Sequence, residues 1–223
     1  MAELIPHIDV NPKGDVKALV VWMHGLGDSG HGFAPIVPEF NLPDELGIRF
    51  VFPHAPVRPI TVNNGVPMRG WYDIVSFDFD NRADDSGVIE SAVELQALID
   101  NELTTYNLTP DKLVIAGFSQ GGVMAYHLGC RQAQPIAGIL SLSAYLAMPN
   151  QLAEQASDAA KPTPIMAMHG NHDEIVPIEL GRLSAETVKQ AGFSLDWLEY
   201  NMQHNICPEQ VEQIGTWLAQ KLG

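Results

Sequence analysis

The residues best suited to chemistry in this sequence form the motif GFSQG at 117–121, with Ser119 at its centre. A short apolar run precedes the motif and a candidate helix follows it, which is the strand–turn–helix context that presents a serine hydroxyl as a nucleophile. Gly117 and Gly121 have a steric reason to be present, because a side chain there would collide where strand and helix cross. An ordinary glycine-rich turn is the alternative for this motif, so the remaining chain must decide between the two.

A serine hydroxyl becomes a strong nucleophile when an imidazole takes its proton and a carboxylate orients that imidazole. Asp173 follows a predicted strand around Met166, and His204 lies between the last predicted strand and the last predicted helix. Functional groups of a parallel sheet gather beyond the carboxyl ends of its strands. The sequence therefore predicts a catalytic triad of Ser119, His204 and Asp173.

Two neighbouring residues remain as alternatives for these roles. Glu174 is a second carboxylate beside Asp173, although adjacent side chains are expected to point in different directions. His169 is a second histidine at a strand end, where it can also serve to satisfy loop hydrogen bonds. The histidines have no i, i+4 spacing beside a third ligand, so we predict no metal site.

Hydrolysis through a serine also needs two N–H donors for the oxyanion of the intermediate. The amide of Gln120 is one candidate, because it directly follows the nucleophile at a predicted helix N-terminus. The other is the amide of Leu26 in the glycine-dense segment HGLGDSG at 24–30. A phosphate-binding turn is the alternative for this segment, but it contains no lysine or arginine.

Strand-like and helix-like segments alternate along almost the whole chain. Predicted strands cover residues 4–9, 18–23, 48–52, 113–117, 137–142, 164–168 and 194–200, and predicted helices cover 88–103, the segment after the motif through 132, 178–191 and 208–222. This alternation predicts a mostly parallel sheet with helices on both faces. We find no repeat or linker and predict one α/β domain over residues 1–223.

Two segments between these elements bear on access to the predicted site. Residues 53–86 form the longest stretch without a clear period and are predicted to be an irregular loop. Its acidic residues at 78–85 are interpreted as a solvated rim, since they lack the spacing of a calcium loop. Residues 143–164 have room for one short helix, which argues against a large cap domain over the site.

Composition excludes several classes of protein. A formal net charge of −15 makes nucleic acid and anionic membranes poor partners. The N-terminus has no basic or apolar leader pattern, and the apolar run at 18–23 is too short to span a bilayer. Cys130 and Cys207 show no metal or redox spacing, so we interpret them as reduced thiols of a cytoplasmic protein.

Five segments together resemble one family. HGLGDSG at 24–30, WYD at 71–73, GFSQGG at 117–122, HGNHDEIVP at 169–177 and QHNICPEQ at 203–210 are similar to the carboxylesterase/acyl-protein thioesterase branch of the α/β-hydrolases. The order serine, aspartate, histidine along the chain is also that of this fold. Asn205 departs from the pattern, because many relatives have serine after the histidine, and this puts one local hydrogen bond in doubt.

The resemblance implies an α/β-hydrolase fold without a large cap domain and the hydrolysis of carboxylic esters or thioesters without a cofactor. It supports Ser119, Asp173 and His204 as the triad and Leu26 and Gln120 as the oxyanion hole, and it places Trp71 near the acyl group. Tyr145 and Val176 are assigned with Trp71 to the substrate pocket, although the aromatic residues can equally belong to the core. Homodimers are common in the family. The alternatives are a lysophospholipase and an inactive scaffold that binds a partner.

Overall fold

The computed structural model describes residues 4–76 and 82–223. Its central sheet has seven strands: β1 (His7–Val10), β2 (Ala18–Met23), β3 (Ile48–Pro53), β6 (Leu113–Phe118), β7 (Gly138–Leu142), β8 (Ile165–Gly170) and β9 (Leu195–Tyr200). Their spatial order is β1-β3-β2-β6-β7-β8-β9, and every neighbouring pair is parallel except the edge pair β1–β3. The predicted, mostly parallel sheet is confirmed.

Apolar residues cover both faces of this sheet because helices pack on each. The described α-helices are α1 (Gly30–Phe33), α2 (Asp85–Thr105), α3 (Gln120–Gly129), α4 (Pro149–Gln155), α5 (Ile178–Gln190) and α6 (Pro208–Leu222). Alternate residues of β2 belong to two hydrophobic clusters, of which one includes buried residues of α2, α3 and α5 and the other includes those of α6. All six residues of β2 are therefore fully buried, as its unbroken apolar run predicts.

The segment at 53–86 differs from the irregular loop that the sequence predicts. It contains a two-stranded antiparallel hairpin, β4 (Val57–Ile60) and β5 (Val66–Arg69). Pro59 and Pro67 lie opposite each other in this hairpin. Because proline lacks an N–H group and is unusual inside a sheet, it conceals the strand pattern in the sequence.

The acidic residues that follow the hairpin fall into two groups. Asp78 and Asp80, part of the predicted solvated rim, lie outside the described residues. Asp84 is the N-cap of α2, where its carboxylate accepts hydrogen bonds from the amides of Ser86 and Gly87. This is a local structural role that the sequence interpretation did not include.

The segment at 143–164 contains α4 and a short 3-10 helix at 158–160. No cap domain is inserted here, which confirms the prediction from its length. No helix in the two described ranges has the length and apolar character needed to cross a membrane.

Close packing between α3 and the sheet depends on the glycines of the motif. A Cβ at Gly121 would lie 2.1 Å from the carbonyl oxygen of Met23, and a Cβ at Gly117 would lie 2.1 Å from the backbone of Gly121. Real Cβ atoms do not approach backbone this closely, so a methyl group at either position forces strand and helix apart. The steric explanation drawn from the motif is confirmed.

We therefore expect Gly121→Ala to lower the free energy of unfolding by about 2 kcal/mol or more, because the neighbouring backbone must move. Gly14→Ala is the matched control, since a Cβ there would meet no atom within 4 Å. Urea unfolding of both variants measures the difference. Equal stability of the two variants would show that the crossing of strand and helix is looser than the structure indicates.

The buried His127 on α3 should make the free energy of unfolding depend on pH. Burial, with a smaller contribution from nearby Arg131, lowers the pKa of His127 to about 4, and its Nδ1 has no partner among the described residues. Between pH 6.5 and pH 4 the unfolded chain binds a proton here that the folded chain does not. Stability should therefore fall with decreasing pH in this window, by about 3 kcal/mol at most.

His127→Gln should flatten this dependence, while His172→Gln, at an exposed position, should leave it unchanged. Urea unfolding at pH 7, 5.5 and 4.5 gives the slope for each protein. The slope is the relevant measurement, because the substitution itself can shift stability equally at every pH. A slope that His127→Gln does not alter would contradict the role of this histidine.

Candidate active site

Ser119 occupies the sharp turn between β6 and α3. Its backbone angles are φ 55° and ψ −119°, a conformation that residues with side chains rarely adopt. The amide of Ser119 donates to the carbonyl oxygen of Leu142 on β7 at 2.9 Å. The strained turn thus places the serine side chain at the carboxyl end of the sheet, as the motif predicts.

A continuous chain of hydrogen bonds connects Ser119, His204 and Asp173. Nε2 of His204 lies 3.0 Å from Oγ of Ser119, and Nδ1 of His204 lies 2.7 Å from Oδ2 of Asp173. With the carboxylate as acceptor, Nδ1 carries the ring proton, which leaves Nε2 free to accept the serine hydroxyl proton. The structure therefore brings together three side chains that are 85 and 31 residues apart in the sequence.

Asp173 is held in its ionised form by its surroundings. Its side chain is completely buried, which by itself favours the neutral acid. Hydrogen bonds from His204 and from the amides of Val176 and Ile175 outweigh this burial and keep the pKa of Asp173 below its ordinary value. A carboxylate with three donors is both charged and fixed in orientation, so it can orient the imidazole.

The alternative residues lie in different environments. Glu174 is exposed to solvent, beside the buried Asp173. Nε2 of His169 donates to the carbonyl oxygen of Val176 at 2.8 Å and lies 3.5 Å from Oδ2 of Asp173. Burial lowers the pKa of His169, so it is a neutral histidine that packs behind the carboxylate rather than contacting Ser119.

The two candidate oxyanion donors lie next to the nucleophile. Gln120 is the first residue of α3, so its amide is not used by the helix. Leu26 lies on the 24–30 segment, and a Cβ at the preceding Gly25 would lie 3.4 Å from Cβ of Ser119. Leu26 and Ser119 also line the same cleft. Both amides therefore remain candidates for stabilising negative charge beside Ser119.

The side chain of Gln120 has a role that its position in the motif did not reveal. It is buried, its Oε1 accepts from the amide of Trp71 at 3.0 Å, and its Nε2 donates to the carbonyl oxygen of Tyr72 at 2.9 Å. These bonds attach the segment after the hairpin to the turn that carries Ser119. Sequence patterns contain no signal for them, because the partners are nearly fifty residues apart.

His24 similarly fixes the candidate oxyanion loop. Its Nε2 accepts from the amide of Ala55 at 3.1 Å, so the ring proton lies on Nδ1, which donates to the carbonyl oxygen of Gly25 at 2.7 Å. Burial lowers the pKa of His24, which keeps the ring neutral and both bonds intact. The indole N–H of Trp71 donates to the carbonyl oxygen of His24.

An open cleft of about 530 Å³ lies over Ser119 and His204. Apolar side chains from loops and from the ends of neighbouring elements form its walls: Leu26, Phe33, Ile36, Phe118, Ile175 and Ile206. Ile175 is 57% exposed at its edge. The described residues contain no group of three histidine, cysteine or acidic side chains that could hold a metal ion.

The three residues predicted for the substrate pocket are buried in the structure. Trp71, Tyr145 and Val176 are each 5% exposed or less and do not line the cleft. The indole of Trp71 forms a hydrogen bond with the carbonyl oxygen of His24. The hydroxyl of Tyr145 lies 2.9 Å from that of Tyr72, and the amide of Val176 donates a hydrogen bond to Asp173. The aromatic residues are buried because their polar atoms find partners inside the protein.

Comparison with solved structures defines the class of fold. The crystal structure of SOBER1 from Arabidopsis thaliana superposes with a TM-score of 0.87 and 31% sequence identity, over 92% of this chain and 99% of that one. Zea mays acyl-protein thioesterase 2 superposes with a TM-score of 0.83 and 29% identity, over 98% and 99% of the two chains. The fold is that of an α/β-hydrolase, as the alternating strands and helices predict.

Sequence comparison identifies the family. The phospholipase/carboxylesterase profile matches residues 7–222. "Acyl-protein thioesterase 1" of Gibberella zeae is 36% identical over 214 residues, which are 92% of this chain and 91% of the relative, and "Carboxylesterase SOBER1" of Arabidopsis thaliana is 31% identical over 92% and 91%. The chain belongs to the phospholipase/carboxylesterase family. It is a hydrolase that acts on esters.

Proposed function

We propose that this protein hydrolyses carboxylic esters and acyl thioesters through a triad of Ser119, His204 and Asp173. The observation that carries the proposal is the hydrogen-bonded chain from Oγ of Ser119 through His204 to Asp173. Relatives named acyl-protein thioesterase and carboxylesterase support both kinds of acyl bond. The oxyanion hole is formed by the amides of Leu26 and Gln120.

The reaction proceeds in two halves. Nε2 of His204 takes the hydroxyl proton as Oγ of Ser119 bonds to the acyl carbon, and the carbonyl oxygen becomes an oxyanion. When the intermediate collapses, the bond to the leaving oxygen or sulfur breaks, and that atom receives the proton from His204. His204 then takes a proton from a water molecule as that water attacks the acyl carbon. When the bond to Oγ of Ser119 breaks, His204 returns the proton to Oγ, and the carboxylic acid is released.

Substrate range follows from the shape of the cleft. Its apolar wall is short and open, so each added acyl methylene should contribute up to about 0.8 kcal/mol only until the wall ends. We expect kcat/KM to rise from acetyl to short or medium acyl chains and then to level off. A panel of p-nitrophenyl esters and matching thioesters, with lysophospholipids included, measures this range.

Ile175→Ser should reduce kcat/KM for medium chains about threefold, because it removes apolar wall, and should leave acetyl esters unchanged. Val93→Ser is the control, since Val93 is 67% exposed on α2 and does not line the cleft. A steady rise through long acyl chains that does not depend on Ile175 would require a deeper acyl site than this cleft.

We also propose that the protein works in the cytoplasm, without a cofactor, nucleic acid or stable membrane insertion. Both cysteines are free, and burial raises the pKa of Cys130 to about 12, which keeps its thiol unreactive. A homodimer is a further expectation from the family resemblance, and sedimentation of the purified protein tests it.

A further inference from the structure

A second, larger groove opens beside the cleft over Ser119. It lies between α6 and the 3-10 helix at 34–40, has a volume of about 980 Å³, and is here called the outer groove. Ile36 and Ile206 line both the cleft and the outer groove. The two spaces are therefore neighbours that meet at these two side chains.

The direction of the reaction determines which half of a substrate faces the outer groove. His204 must donate its proton to the leaving oxygen or sulfur, so the leaving group lies on the histidine side of the acyl carbon. From His204 the chain passes through Ile206 to Cys207, which lines the outer groove. Ile206 lines both spaces, so the side of the cleft where His204 meets the leaving group borders the outer groove.

The lining of the outer groove has a distinct charge. Glu39 and Glu212 are both exposed and line it from its two sides, whereas none of its lining residues is a lysine or arginine. Phe40 and Val211 add apolar surface to the same walls. A groove with apolar walls and two carboxylates suits an extended segment that carries positive charge, and a small alcohol would leave most of its volume empty.

We propose that the outer groove binds the polypeptide that carries the acyl group, and that it favours lysine or arginine next to the acylated residue. This inference rests on the proposed ester and thioester hydrolysis and names its leaving group. Relatives named acyl-protein thioesterase act on the same general kind of leaving group. The groove adds a preference for the charge of the flanking sequence.

The test compares three peptides that carry the same octanoyl thioester on one cysteine and differ only in the flanking residues: lysine, glutamine or glutamate. Released thiol gives kcat/KM for each. We expect the lysine peptide to exceed the glutamine peptide about threefold to tenfold and the glutamate peptide to be slowest, because two exposed ion pairs contribute modestly. High salt should reduce the preference.

A matched pair of double variants separates the groove from the overall acidic charge. Glu39→Gln with Glu212→Gln should remove the preference, whereas Glu90→Gln with Glu94→Gln, which changes the net charge equally on exposed positions of α2, should retain it. Equal effects of the two pairs would assign the preference to long-range attraction and overturn the proposal. Equal rates for all three peptides with the unsubstituted protein would overturn it as well.

Thr216→Trp provides a steric test. Thr216 is exposed on α6 and lines the outer groove, so a tryptophan there should obstruct part of the groove without disturbing the core. The ratio of kcat/KM for the peptide thioesters to kcat/KM for p-nitrophenyl acetate should fall, because the acetate is too small to reach the outer groove. A ratio that Thr216→Trp does not change would contradict binding in the groove. Absence of p-nitrophenyl acetate hydrolysis by the unsubstituted protein would instead contradict the proposed function.

Discussion

Replacing Ser119 by alanine should abolish ester and thioester hydrolysis and prevent labelling by a fluorophosphonate probe. The side chain of Ser119 is the nucleophile of the proposed reaction, and its loss removes the acyl-enzyme route altogether. We expect kcat to fall by about four orders of magnitude or more. Intact-mass measurement after labelling, together with a p-nitrophenyl ester assay, detects both effects.

Ser143→Ala is an informative control for this variant. Ser143 is also buried after a strand of the sheet and also has a positive φ, of 48°, but its Oγ has no hydrogen-bond partner among the described residues. We expect this variant to keep its activity and its labelling at Ser119. Undiminished hydrolysis by Ser119→Ala would refute the proposed mechanism.

The second large effect concerns the base and its carboxylate. His204→Ala should lower kcat by several orders of magnitude, because it removes the imidazole that lies within hydrogen-bond distance of Ser119 and takes its proton. Asp173→Asn should cause a comparable or slightly smaller loss, because an amide does not stabilise the imidazolium and can stabilise the wrong tautomer. Steady-state kinetics with one short-chain ester measures both variants.

Glu174→Gln is the matched control for the carboxylate. Glu174 is adjacent to Asp173 in the sequence but exposed to solvent, so its neutralisation should change kcat less than twofold. If Glu174→Gln lowered kcat by orders of magnitude and Asp173→Asn remained active, Glu174 rather than Asp173 would be the carboxylate of the triad. Chelating agents should have no effect on the unsubstituted protein.

The local features of this protein were determined by the sequence itself. Unbroken apolar runs predict buried parallel strands, and the run at Ala18–Met23 is a strand over those residues. The G-x-S-x-G spacing predicts a tight crossing, since only glycine leaves room for the carbonyl oxygen of Met23 beside Gly121. Such features depend on the sterics and periodicity of neighbouring residues, which a sequence contains directly.

The partners of the buried polar groups were decided only by the tertiary structure. Trp71 and Tyr145 resemble cleft residues in the sequence, but hydrogen bonds to His24 and Tyr72 hold them in the core. The side chain of Gln120 forms hydrogen bonds with the backbone of Trp71 and Tyr72, which lie almost fifty positions away in the sequence. A local pattern shows that an aromatic or amide side chain can be buried. Which distant group satisfies it depends on how the whole chain closes around the sheet.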